Sequence, residues 1–168
     1  MWRFLILSEY ECIRLQQGCI DELQQLCGEA DDIEAGGILV GKRLSETDAV
    51  IASVSDPPPD STQRPRSLTR GTEGIDEWLA KQREKHGIQY LGEWHYHPFE
   101  PPATSSRDRS TMFDIAANEE YGRPDPILLI IGGTPPDDFA INAYVFHREG
   151  DFEQLQCVNS KHESEDNQ

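Results

Sequence analysis

The chain has 168 residues, with 31 acidic against 15 basic side chains and a formal net charge of −16. That length supports one domain with an ordinary core that needs no structural metal or disulfide, so a metal held here is expected to do chemistry. The acidic balance argues against nucleic acid and anionic membranes, which are gripped mainly through Lys and Arg, and favours a protein partner.

In chain order, Arg3 to Leu7 reads as a short strand. Ser8-Glu9-Tyr10-Glu11 has the form of a capping box, so a helix is expected to follow, with Ile13, Ile20, Leu23 and Leu26 on its apolar face and a stop near Gly28. Cys12, Cys19 and Cys27 interleave with that face. With Cys157 they form no C-x-x-C pair, so the first three are read as buried packing rather than a zinc or redox motif. The opening run MWRFLIL is too short for a signal peptide. No segment approaches a membrane span, and a cytoplasmic location is expected.

Ala35 to Gly41 and Ala49 to Val54 read as the strands of a hairpin, the first with glycines that suit close backbone approach. Asp56 to Arg70, with Pro57, Pro58, Pro59 and Pro65, reads as a long exposed loop carrying Arg64, Arg66 and Arg70. On residues alone that loop is either a solvated linker or a binding element. Thr72 to His86 has the spacing of an amphipathic helix stopped by Gly87. Ile88 to His97 reads as a strand and Thr104 to Glu120 as a helix. Pro126 to Gly132 has the continuous aliphatic run of a central strand. Phe139 to Phe146 adds a strand and Phe152 to Leu155 a short edge. Residues 156–168 read as a polar, flexible tail, leaving one domain over 1–155. An early hairpin, with a helical crossover on either side of the strand ending at His97, predicts an α/β sandwich.

The chemistry is concentrated in Trp94 to Asp108, WHYHPFEPPATSSRD. On a strand, His95 and His97 point to one face while Trp94 and Tyr96 point to the other. The Pro-rich turn can fold Asp108, at the start of the next helix, back toward the histidines. Two imidazoles and a carboxylate are three ligands of a catalytic zinc site, with a fourth position left open. Taken singly, the histidines could line a polar face, and Ser105 with Asp108 could be a helix cap. Glu93, one strand step of about 6.6 Å from His95, shares its face and is a hydrogen-bond partner behind the histidines, a rim charge or a rival base. His86, His147 and His162 fall outside the pattern.

His95, His97, Ser105 and Asp108 together form H-x-H-x7-S-x2-D, which closely resembles the signature of the JAMM metalloproteases, the catalytic JAB/MPN domains. The resemblance implies a single cytidine-deaminase-like domain with a mixed β-sheet flanked by helices. It also implies one Zn2+ per chain on His95, His97 and Asp108, Glu34 as general base, and Ser105 as the donor to the tetrahedral oxyanion. Residue pattern alone leaves Glu34 and Glu93 as competing bases. YLGEWHYHP followed by PPATSSRD looks most like small stand-alone bacterial JAB proteins, encoded beside E1- and E2-like proteins in antiphage loci such as CBASS or in ubiquitin-like conjugation operons.

That likeness implies hydrolysis of the amide or isopeptide bond after the C-terminus of a ubiquitin-like protein, in deconjugation or precursor processing, with Arg64, Arg66 and Arg70 helping to seat the partner. Two other readings stand beside it. One is a zinc hydrolase of small amides or a nucleobase deaminase, although the deaminase His-x-Glu and Pro-Cys-x-x-Cys ligands are absent. The other is a non-catalytic MPN-type binding module. Tyr96 departs from the family's usual Ser or Thr and, pointing away from the ligands, is expected to affect packing or the cleft rim.

Overall fold

The computed structural model describes residues 2–5, 12–45, 48–121, 125–135 and 137–159. Its elements are β1 (Trp2–Leu5), β2 (Cys12–Leu15), α1 (Gln17–Ala30), β3 (Ala35–Arg43), β4 (Asp48–Val54), β5 (Thr62–Arg64), β6 (Ser67–Thr69) and α2 (Ile75–His86). They continue with β7 (Gln89–Pro98), α3 (Ser106–Ala117), a 3-10 turn (Glu119–Tyr121), β8 (Ile127–Thr134), β9 (Asp138–Phe146) and β10 (Phe152–Asn159). The class is α/β, with a mixed sheet and, among the described residues, three α-helices. The expected hairpin is β3 and β4, paired antiparallel. β7 and β8 are parallel, joined through α3, as a strand pair connected by a helical crossover must be.

The N-terminal reading needs correction. Ile13 lies on β2, not on the helix, and Ile13 and Leu15 are buried on either side of the half-buried Arg14, which is strand alternation. The helix starts at Gln17, and it buries Cys19, Ile20, Leu23 and Cys27. Cys12 is a strand residue, and the Ser8 to Glu11 capping box lies outside the described residues. Because β2 pairs with both β1 and β4, the sheet closes on itself in the order β1-β10-β9-β8-β7-β3-β4-β2, a ring within the expected α/β class. Closure also extends the last strand: β10 runs to Asn159, where its backbone pairs with β1, so residues 156–159, expected in the tail, belong to the sheet. His162 and the rest of the tail lie outside the described residues.

Two apolar clusters sit on the two faces of the strands. One joins α1 to Leu39, Ile51, Leu91, Trp94, Tyr96, Leu129 and Val145. The other joins α2 and α3 to Ile38, Tyr90, Leu128, Ile130 and Phe146, through Trp78, Met112 and Ile115 among others. A β-bulge in β7 sets which side chains face which cluster. Leu39 pairs with Gly92 and Val40 with Tyr90, leaving Leu91 as the extra residue. Past the bulge Trp94 and Tyr96 turn to α1, while Glu93, His95 and His97 turn to the face that carries α3. Gly92 is required there, since a Cβ would stand 1.8 Å from the carbonyl oxygen of Ile127 on β8. Tyr96 therefore points away from the histidines, and its hydroxyl donates to the Asp31 carbonyl at 2.9 Å.

The 56–70 segment is not a plain exposed loop. It contains the antiparallel pair β5–β6, and Leu68 on β6 packs close to Gly36.

Candidate metal centre

His95 and His97 are delivered by β7 and Asp108 by the first turn of α3, which Ser105 fixes. The Ser105 hydroxyl accepts from the Asp108 backbone N–H at 3.1 Å, and Asp108 Oδ2 accepts from the Ser105 N–H at 2.8 Å, a closed capping box. The same carboxylate reaches both imidazoles, with Oδ1 2.8 Å from His95 Nδ1 and Oδ2 3.2 Å from His97 Nε2. All three residues are buried, at 6%, 4% and 7% exposure for His95, His97 and Asp108.

Their ligand atoms lie within 4.8 Å of one another. Two ligands of a tetrahedral zinc with bonds of about 2.0–2.2 Å stand roughly 3.3–3.6 Å apart, so this donor set fits the ion in kind, number and spacing. Burial works against the Asp108 charge, yet hydrogen bonds from His95 and His97 outweigh it and hold the carboxyl far below the usual range. Burial also pulls the His97 pKa down, and its contact with Asp108 more than offsets that.

The Prok-JAB family, prokaryotic homologs of the JAB domain, matches residues 16–146. The chain belongs to this family. A relative from Enterobacter hormaechei subsp. hoffmannii, called "CD-NTase/cGAS isopeptidase", is 34% identical over 137 residues, covering 81% of this chain and 76% of that one. A Vibrio cholerae relative of the same name is 34% identical over 104 residues, 59% of this chain and 62% of the other. The solution structure of a Desulfitobacterium hafniense protein superposes with a TM-score of 0.63 at 23% identity, over 86% of this chain and 90% of that one, a likeness of fold. The chain is thus a JAB-domain protein whose relatives are named as isopeptidases.

Within this JAB domain Glu34 immediately precedes β3. Since Ala35 pairs with Tyr96 and Gly36 with His95, the ladder carries Glu34 opposite His97 on the ligand face. Glu34 is half-buried; burial raises its pKa, while the fields of His97 and His95 oppose the shift and that of Asp108 adds to it. Gly36, one strand step on, leaves room for an imidazole: a Cβ there would stand 3.0 Å from His95 Cδ2 and 2.6 Å from Leu68 Cδ2. The Gly36-Gly37 pair, one residue beyond Glu34, is the sequence signal for that close approach.

Glu93 shares the face of His95 but is sealed at 1% exposure. Its Oε1 accepts from Arg70 Nε at 2.7 Å. Burial raises its pKa and Arg70 opposes the rise. Arg70, expected on an exposed loop to seat a partner, is turned inward, donating also to the Gly71 carbonyl at 2.6 Å and facing the Tyr121 hydroxyl at 3.4 Å. The reason is charge: a carboxylate buried to this degree needs a counterion, and residue 70 is where the hairpin returns to the core. Arg64 and Arg66 are exposed. His86 is exposed in the last turn of α2, and His147 follows β9 in ion pairs with Asp125 and Glu153.

Proposed function

We propose that this JAB-domain protein is a zinc-dependent isopeptidase that hydrolyses the amide after the C-terminus of a ubiquitin-like protein. The observation that carries the reading is the convergence of His95, His97 and Asp108 on one buried point with the Glu34 carboxylate beside them. When bound there, zinc supplies a lowered pKa for water and a polarised substrate carbonyl.

The chain's own groups do the rest. Glu34 takes the proton from the attacking water and passes it to the leaving amine; its raised proton affinity and partial exposure suit both transfers. Glu93 is the weaker rival, because its charge is spent on Arg70 and it is closed to solvent. The Ser105 oxygen already accepts the cap hydrogen bond, which leaves its O–H free to donate to the oxyanion as the carbonyl becomes tetrahedral. The capping box thus both locks Asp108 and aims the donor.

The relatives' name suggests the conjugate: an amide joining the ubiquitin-like protein to a CD-NTase/cGAS-like enzyme, made by E1- and E2-like proteins of the same antiphage system in the cytoplasm. Deconjugation and precursor processing share the chemistry. The substrate's extended tail would add as a strand beside the cleft, next to the β5–β6 hairpin with its exposed Arg64 and Arg66. The test is incubation with the ubiquitin-like protein encoded alongside, extended at its C-terminus, with Glu34→Ala and His97→Ala as controls. Cleavage after the terminal residue of the ubiquitin-like protein, abolished in both variants, supports the reading. Full activity in Glu34→Ala moves the base elsewhere, and hydrolysis of small amides alone supports the small-amide reading.

A further inference from the structure

We propose that Phe99 is a specificity-determining residue: with Glu100 and Asp138 it forms the groove that takes the segment on the leaving-amine side of the scissile bond, an apolar residue next to a basic one. The inference rests on the isopeptidase reading and adds the chemistry of the second substrate half.

Phe99 is the most exposed large hydrophobic side chain among the described residues, at 63%. It is also one of two described non-glycine residues at positive φ, at 63°, the other being Asp31. Asp tolerates that region, whereas a bulky aromatic there is an outlier that surrounding structure must enforce. The enforcement is visible. Phe99 N–H donates to the Gly133 carbonyl at 2.9 Å, Gly133 N–H donates back to the Glu100 carbonyl at 3.0 Å, and Asn142 and the Tyr144 hydroxyl hold the Pro102 carbonyl at 3.0 and 3.1 Å. Glycine would sit in this turn without strain. The chain instead holds an aromatic ring in solvent on a rigid turn, two residues after His97.

The groove beside the ring, about 500 Å³, is lined by Phe99, Pro101 and Pro102, by Gly133 and by the acidic residues Glu100 and Asp138. It lies next to the centre, since the turn that carries Phe99 and Glu100 begins at the end of β7, one residue past His97, with the Glu100 N–H donating back to the His97 carbonyl at 3.4 Å. The strand order fixes the side. Glu34 and the β5–β6 hairpin lie toward β3, whereas the Phe99 turn lies toward β8 and β9, across β7. If the ubiquitin-like tail runs along the hairpin, the Phe99 groove receives the other half of the substrate. An aromatic ring, prolines and two carboxylates complement an apolar side chain with a neighbouring Lys or Arg.

The experiment measures kcat and KM for Phe99→Gly and Phe99→Ala on the ubiquitin-like protein fused to a Leu-Arg-containing extension and on its aminomethylcoumarin amide, together with thermal melting. Both variants are expected to raise KM on the fusion roughly tenfold, the loss of one buried contact anchor, with kcat nearly held and a clearly smaller loss on the coumarin amide. Phe99→Gly is expected to melt no lower than the parent, because it relieves the backbone. An unchanged KM in both variants, or equal losses on both substrates, overturns the inference while leaving the isopeptidase reading in place. Failure of the parent protein to cleave either substrate overturns the isopeptidase reading, and the inference with it.

Discussion

Arg70→Ala leaves Glu93 buried without its counterion. Glu93 is 1% exposed and its ion pair with Arg70 is 2.7 Å long; removing one partner of such a pair costs about 3–5 kcal/mol. Against a typical total of about 5–15 kcal/mol, and with a urea dependence of about 2 kcal/mol per molar, the unfolding midpoint should fall by about 2 M. Adding Glu93→Gln, which removes the stranded charge, should recover more than half of the loss.

The pH dependence has a definite sign. Burial raises the Glu93 pKa, and without Arg70 only the weaker field of His95 opposes that rise. A carboxyl with a folded pKa above its unfolded value of about 4.3 contributes stability that is full below that value and lost as pH rises through the folded pKa. The deficit of Arg70→Ala should therefore be largest at pH 8 and shrink toward pH 5. Urea unfolding at both pH values is the assay. A midpoint within about 0.5 M of the parent at pH 8, on the same urea dependence, would refute the assignment of Arg70 as a buried counterion.

Arg64→Ala with Arg66→Ala should leave stability within about 0.5 kcal/mol, as for exposed positions generally, and raise KM for the protein conjugate if those residues seat it. Ser105→Gly separates capping from catalysis. Gly at an N-cap costs only about a few tenths of a kcal/mol, so the melting temperature should nearly hold while kcat falls about 10²–10³-fold through loss of the oxyanion donor; a variant with full kcat would reduce Ser105 to a cap. Glu34→Gln should keep its zinc and its fold and lose about 10²–10⁴-fold in kcat, read by metal analysis and steady-state kinetics on one preparation. Gly36→Ala should impair activity, since its Cβ would press on both His95 and Leu68; unchanged kinetics would show that the imidazole has room to move.

The part of the fold that carries the site was legible because its signals are local. Period-two alternation places His95 and His97 on one face, and Ser105-x-x-Asp108 announces the cap that locks Asp108 beside them. What stayed hidden depends on partners distant in sequence. Arg70 sits among prolines and polar residues and looks solvated, yet its partner lies 23 residues away in β7. Ile13 fits a helical face at seven-residue spacing from Ile20, but a four-residue strand there joins β1 to β4 and closes the ring. Gln156 looks like the start of a tail, while its backbone is paired with Leu5 of β1. The bulge at Leu91 could not be read from alternation either. It lies upstream of Glu93, so it leaves the common face of Glu93, His95 and His97 unchanged.

Every catalytic role above assumes that His95, His97 and Asp108 hold a metal. The direct measurement is the zinc content of the purified chain after dialysis against trace zinc, by mass spectrometry, beside His97→Ala. The account predicts one zinc per parent chain, lost to a chelator together with activity, and close to none in the variant. A folded parent chain that retains no zinc, or a variant that retains as much, would contradict it.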